Sequence, residues 1–215
     1  MQTIKVTSVS SIAKENLKAQ WTELYKSASP NFFLSWSWIG NWFDTIKSDY
    51  TVYLAHCNST LVGMGIIVKK NSSRNIFIKS HQLHLHRTGD ETLDQTWIEY
   101  NDFLLAEGFE KSARKAIVDS IVAEDSWDEI VVGASPQSAF TPFRLAGLQE
   151  KLVWHSHSYQ VDLTHLRDTK TEYLSTLSKT IVQEPCARKC TCLSVAAPNS
   201  SNLNSQRTSL NLFMP

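Results

Sequence analysis

The sequence has no surplus of charge of either sign: 21 Lys and Arg balance 21 Asp and Glu. No global field gathers polyanions, so nucleic acid is not an expected partner. It also lacks a long hydrophobic run. The longest, Leu61 to Val68, holds two glycines and is far too short to cross a bilayer, and no apolar stretch follows the opening Met1 to Lys5. The expectation is a cytoplasmic protein without a membrane span. Cysteine is scarce: Cys57 stands alone, and Cys186, Cys190 and Cys192 crowd near the C-terminus. That is no spaced disulfide framework, and a reducing compartment fits it. Catalytic signatures are missing too, since no Ser-His-Asp order, paired CxxC or phosphate-binding P-loop occurs.

What is present is a chain of 215 residues with 42% hydrophobic side chains, enough to bury a substantial core. Ile4 to Val9 alternates as a short strand does, and Ser11 offers a cap for a helix carrying Leu17, Trp21, Leu24 and Tyr25 on one face. After Pro30, the spacing of Trp36, Trp38, Ile39, Trp42 and Phe43 predicts a second helix behind Ser35, its rings packing the core. Residues 51–56 and 61–68 read as a hairpin around Asn58-Ser59-Thr60, and 76–86 as a third strand after a turn at 71–74. A helix over 109–123, a buried strand over 127–132, a short helix over 138–148, a strand over 152–163 and a helix with Tyr173, Leu174 and Leu177 follow. The pattern predicts an α/β protein: a mixed, mainly antiparallel sheet flanked by helices. Trp21, Trp42, Leu54, Ile66, Ile78, Ile117, Val131 and Leu145 are the expected core.

The chain is organised around Leu83 to Leu105, where a strand, the Gly89-Asp90 turn and a cluster of carboxylates fall within a short span. His84 and His86 alternate there, as do His155 and His157 later, but no third ligand is tied to either pair, so no metal is expected.

Phe33-Leu-Ser-Trp-Ser-Trp-Ile, Leu61-Val-Gly-Met-Gly, Leu85-His-Arg-Thr-Gly-Asp, Glu99-Tyr-Asn-Asp, Tyr159-Gln-Val-Asp-Leu and Tyr173-Leu-Ser-Thr-Leu-Ser-Lys occur in that order. Together they resemble the acetyltransferase-like family of cellulose-biosynthesis CelD type, GNAT-fold proteins akin to the FemAB aminoacyl transferases. The resemblance covers roughly residues 1–179. It implies two GNAT-like halves in tandem, the first shaping an acceptor cleft and the second supplying most of the acyl-donor site. It further implies acyl-CoA, such as acetyl-CoA, as donor and no metal. The acceptor would be a small-molecule or cell-envelope, polysaccharide-related amine. Only the first half is complete in the text of the chain. The expected division is a GNAT-like subdomain over 1–165, the first helix of a truncated second half over 166–179, and a disordered or non-native tail over 180–215.

Acyl transfer to an amine needs a group that takes the amine's proton, and Glu99, Asp102 and Asp90 are the candidates. The structural alternative is that Asp90 closes a turn, Glu99 pairs with a base and Asp102 caps a helix. Trp36, Trp38 and Asn101 are the candidate substrate-binding residues. Arg144-Leu-Ala-Gly147-Leu-Gln149 half matches the loop with which GNAT enzymes hold the coenzyme A pyrophosphate. The position where the resemblance places that loop carries Glu107-Gly108-Phe109-Glu110 instead, whose carboxylates repel a pyrophosphate. The first half is therefore not expected to bind coenzyme A in the standard manner. Two functions follow: an acyltransferase whose present chain is inactive, or a non-catalytic acceptor-binding or interaction module.

Overall fold

The computed structural model describes residues 3–75, 78–95, 98–158, 161–176 and 205–213. Its strands are β1 (Ile4–Val9), β2 (Tyr50–Cys57), β3 (Thr60–Asn75), β4 (Ile78–Leu85), β5 (Leu104–Leu105), β6 (Glu129–Pro136), β7 (Gln149–Ser158) and β8 (Ser205–Phe213). Its helices are α1 (Lys14–Lys26), α2 (Trp36–Phe43), α3 (Glu110–Val122), α4 (Thr141–Leu145) and α5 (Leu163–Asp168). The strand order is β1-β2-β3-β4-β6-β8-β7, with β5 paired to β3 off this path. The fold class is mixed α/β with a mostly antiparallel sheet flanked by helices, as the periodicity predicts.

Local chemistry explains several of these elements. Asn58 and Ser59 both take positive φ, 48° and 71°, between the paired Cys57 and Thr60. This is the two-residue turn whose twist matches a hairpin, and it forms where the sequence places it. The next turn differs from expectation. β3 does not end near residue 70 but runs on to Asn75, pairing with β4 from Ile67↔Leu85 to Asn75↔Ile78. Its outer half is polar, so the apolar pattern understates its length. α1 starts after Ala13 rather than after Ser11, and Ser35 precedes α2 without a side-chain capping bond, its hydroxyl buried and unpaired.

Among the pairings described, that of β4 with β6 is parallel. β4 and β6 pair only over Gln82–His84 and Glu129–Val131, and the crossover that a parallel pair requires contains α3. Immediately beyond, β6 carries a register irregularity between Val131 and Gly133 on its β8 side, with Gly133 at φ 81°. Such a bulge releases backbone groups from the ladder.

Trp21, Trp42, Leu54, Ile66, Ile117 and Val131 are buried as expected. Leu145 is the exception at 75% exposed: α4 is a single short turn, and Phe143 rather than Leu145 faces inward. The Ile78 side chain lies outside what is described. Gly65 has a specific task in the core. A Cβ there would sit 2.3 Å from the Phe103 ring, so glycine lets that ring pack closely against β3.

The chain divides into two compact units, residues 1–155 with 207–215, and residues 156–206. The expected boundary at 165 falls inside α5. In the second unit, Asp162 caps α5 by accepting from the His165 N–H at 2.9 Å, and Leu163, Tyr173 and Leu174 are exposed. Leu177 and residues 180–204 lie outside the described residues. β8 belongs to the stretch expected to lack structure. Its backbone pairs with β6 from Glu129↔Phe213 to Pro136↔Arg207, and its sequence alternates at Leu210 and Leu212.

Candidate functional site

The strand ends at β4 and β6 are where the central stretch does its work. Asn101 is fully buried between them. Its side-chain N–H groups donate to the Leu85 carbonyl at 2.7 Å on β4 and to the Val132 carbonyl at 2.6 Å on β6. Its backbone N–H donates to the Ala134 carbonyl at 2.7 Å. Asn101 thus closes the gap where the parallel pair diverges.

The third polar group of that side chain is equally committed. His86, in the left-handed region at φ 48°, accepts the Ile66 N–H at Nε2 over 3.1 Å. The ring proton must then sit on Nδ1, from which it donates to Asn101 Oδ1 at 2.9 Å. Trp21 and Trp42 meet the imidazole edge-on, with centroids 5.6 and 5.9 Å away. Burial pushes the His86 pKa down to about 4, against the opposing hydrogen bond with Asn101. His84 is also lowered to about 4, by burial first and then by the Arg87 charge. Both rings are neutral at pH 7. His86 lies past the end of β4, so the two histidines do not continue one strand alternation. Among the described residues no group of three His, Cys, Asp or Glu is placed to hold a metal. The side chains of His155 and His157 lie outside that description.

A missed carboxylate organises the turn after β4. Asp94 is buried and accepts from the Thr88 N–H at 2.7 Å, the Thr88 hydroxyl at 2.8 Å, the Gly89 N–H at 2.9 Å and Arg87 Nε at 3.3 Å. Asp90, by contrast, is exposed. It accepts from the backbone N–H groups of Thr92 and Leu93, which hold its carboxyl below the usual range. That is the turn-closing role.

Asp102 neither caps a helix nor stands free. Arg114 grips it with Nε at 3.0 Å and Nη2 at 2.5 Å, and both side chains are mostly buried. Glu99 is half-buried and engaged with a neighbour. Trp36 is half-buried and lies over Gly40, where a Cβ would meet its ring at 2.8 Å. Trp38 packs edge-to-face against Phe32 and Phe33, with centroids 5.5 and 5.1 Å away.

A cleft of about 310 Å³ opens beside Asp102. Its lining comes from the loop at Ser29 to Asn31 with Leu34, from Tyr100, Asp102, Phe103 and Leu105, from Glu110 and Arg114 on α3, and from Pro136. Asn31 ties two walls together, accepting from the Phe33 N–H at 2.9 Å and donating to the Tyr100 carbonyl at 3.1 Å. Of the residues predicted as a site, only Asp102 lines this cleft; Asp90, Glu99, Asn101, Trp36 and Trp38 do not. Arg114 went unnoticed in the sequence, and Glu110 was read there only as a carboxylate opposing a pyrophosphate, although their Glu-x-x-x-Arg spacing on one helix was visible.

Arg144 to Gln149 has a structural task. Gly147, at φ 84°, ends α4 with its N–H on the Arg144 carbonyl and the Leu148 N–H on the Phe143 carbonyl, a Schellman stop. The Arg144 guanidinium is held by Glu150, with Nη2 at 2.8 Å from Oε1. Nothing there offers a row of free N–H groups to an anion.

No protein-family model and no curated protein matches the chain. Several solved structures are similar to it, among them three acetyltransferases. An acetyltransferase of Bacillus subtilis in complex with CoA shares 10% identity at TM-score 0.44, over 99% of this chain and 100% of that one. A probable acetyltransferase from Staphylococcus epidermidis shares 9% at TM-score 0.49, with the same coverage. A GNAT family acetyltransferase from Elizabethkingia anophelis with acetyl-CoA bound shares 11% at TM-score 0.40, over 98% of each chain. At such identities and scores these likenesses assign no activity to this chain.

Proposed function

We propose that the chain is a GNAT-like, acyltransferase-type protein whose first unit engages an amine acceptor and does not itself hold the acyl-CoA donor. The family reading rests on the ordered sequence motifs and on the mixed, mostly antiparallel sheet. The non-catalytic reading rests on one observation: Asn101 occupies the divergence between β4 and β6 with all of its polar groups. An extended thioester-linked chain seated between strands needs backbone groups to pair with. Here the carbonyls of Leu85 and Val132 are already paired.

Two further features support the reading. The N-terminus of α3, a natural anion site, is flanked by the exposed carboxylates of Glu107 and Glu110, which oppose a pyrophosphate. An attacking amine also has to lose a proton, and Asp102 and Asp94 are held by guanidinium groups while Asp90 closes a turn. Isothermal titration of the whole chain with acetyl-CoA tests this. No saturable heat is expected; one-to-one binding together with acetylation of an amine would overturn it in favour of an active acyltransferase.

A further inference from the structure

His84 and His86 are both buried, at 5% and 1% exposed, but they meet the demands of burial differently. His86 commits both ring nitrogens, one to the Ile66 N–H and the other to Asn101. His84 commits one. Its Nε2 lies 3.3 Å from Gln82 Oε1, and Gln82 is oriented by donating from its own Nε2 to Glu129 Oε2 at 3.0 Å. His84 Nε2 therefore carries the proton, and Nδ1 carries the lone pair. That Nδ1 is buried without a hydrogen-bond partner among the described residues. A buried acceptor left unsatisfied is costly and uncommon in a folded protein. Burial, followed by the Arg87 charge, keeps the ring neutral at pH 7, so the lone pair stays free.

The turn after β4 lies over this ring. At Gly89 a Cβ would come within 2.8 Å of His84 Nε2 and 2.6 Å of Lys70 Cδ, so the glycine backbone rests directly on the imidazole. Arg87, Thr88 and Gly89 all donate to the Asp94 carboxylate, and the Lys70 ammonium donates to the Gly89 carbonyl. Most of the turn's bonds thus run to a single side chain. His86 and Gly89, with left-handed φ of 48° and 74°, bracket Arg87 and Thr88. The His86 N–H is still tied to the Ile66 carbonyl at 3.0 Å, so the turn can swing beyond that point without unpairing β4.

We propose that the turn from Arg87 to Asp94 is a latch over His84. Closed by the Asp94 carboxylate, it shields the Nδ1 acceptor; open, it presents that acceptor to an incoming O–H or N–H group. The latch is independent of the acceptor-binding reading, since neither His84 nor the turn lines the cleft.

The test is labelling of the full chain at pH 7 with diethyl pyrocarbonate, which carbethoxylates neutral imidazoles that solvent can reach, with each histidine followed by mass spectrometry. In the native chain His84 is expected to react roughly 10–1,000-fold more slowly than the exposed His81, the factor set by a minor open state. Two variants open the latch by different routes. Asp94→Ala removes its anchor, and Gly89→Ala drives a methyl into His84 and Lys70 with Asp94 intact. In each, His84 should react within about tenfold of His81, while His86, held by Asn101 and the two tryptophans, stays protected and reports that the core is folded. Such selective labelling in either variant upholds the latch. If neither variant gives it, whether because His84 stays protected or because His86 reacts together with it, the latch is overturned. Native His84 reacting as fast as His81 overturns it as well.

Discussion

Replacing Asn101 with alanine removes three buried hydrogen bonds at once. The Leu85 and Val132 carbonyls lose their donor and the His86 Nδ1–H loses its acceptor. Leaving a buried polar group unsatisfied costs about 1–3 kcal/mol, so Asn101→Ala should destabilise the protein by about 3–5 kcal/mol. Against a total of about 5–15 kcal/mol, that is a large fraction. At about 2–4 °C per kcal/mol for a chain of this size, Tm should fall by roughly 10 °C. Urea unfolding followed by tryptophan fluorescence gives the midpoint and the m-value together.

Asn101→Asp sharpens the test. It keeps the shape but turns an acceptor oxygen toward two carbonyls. Its folded-state pKa is raised above the unfolded value, so the penalty is present at pH 7 and shrinks as pH falls and the acid protonates. Asn101→Ala within about 1 kcal/mol of the native protein, or Asn101→Asp equal to native at pH 7, refutes the wedge.

The remaining expectations concern pH and packing. His84 and His86 both have pKa values lowered from 6.5 to about 4 by burial, so below about pH 6.5 the unfolded chain takes up protons that the folded chain refuses. Their contribution is fully present above pH 6.5, is lost as pH falls toward 4, and amounts to about 3 kcal/mol for each ring. His86→Gln should flatten the pH dependence of the urea midpoint by about one proton; an unchanged slope contradicts the assignment. Gly65→Ala drives a methyl into the Phe103 ring and should cost about 1–3 kcal/mol, whereas Gly108→Ala, with open space around it but φ at 81°, should cost only backbone strain. Equal midpoints for native protein and Gly65→Ala would show that the ring does not rest on β3.

Much of the fold is written in local chemistry. The 3.6-residue spacing of Ala113, Ile117 and Ile121 gives α3, and Asn58-Ser59 gives the first hairpin. What escapes is what depends on distant partners. Asp102 reads as a free carboxylate until Arg114, twelve positions on, is seen to hold it. Asp94 looks like one more loop acid, yet four donors converge on it because the turn after His86 folds back. Asn101 gives no sign in the sequence that it would join two strands paired in parallel across a long crossover. Leu145 fails for the opposite reason, since a turn of helix is too short for its apolar residues to share a face. The outer half of β3 and all of β8 are poor in apolar residues, so backbone pairing forms them where side-chain pattern gives little notice.

The central claim is that Asn101 permanently fills the divergence of β4 and β6, and its own side-chain amide reports on this most directly. Both amide protons donate to carbonyls in the core, so they should exchange slowly with solvent in a 1H–15N spectrum. Addition of excess acetyl-CoA should move neither them nor the backbone amides of Leu85, Val132 and Ala134. Rapid exchange of the Asn101 side chain, or its displacement together with those three residues as acetyl-CoA is titrated, would contradict the account.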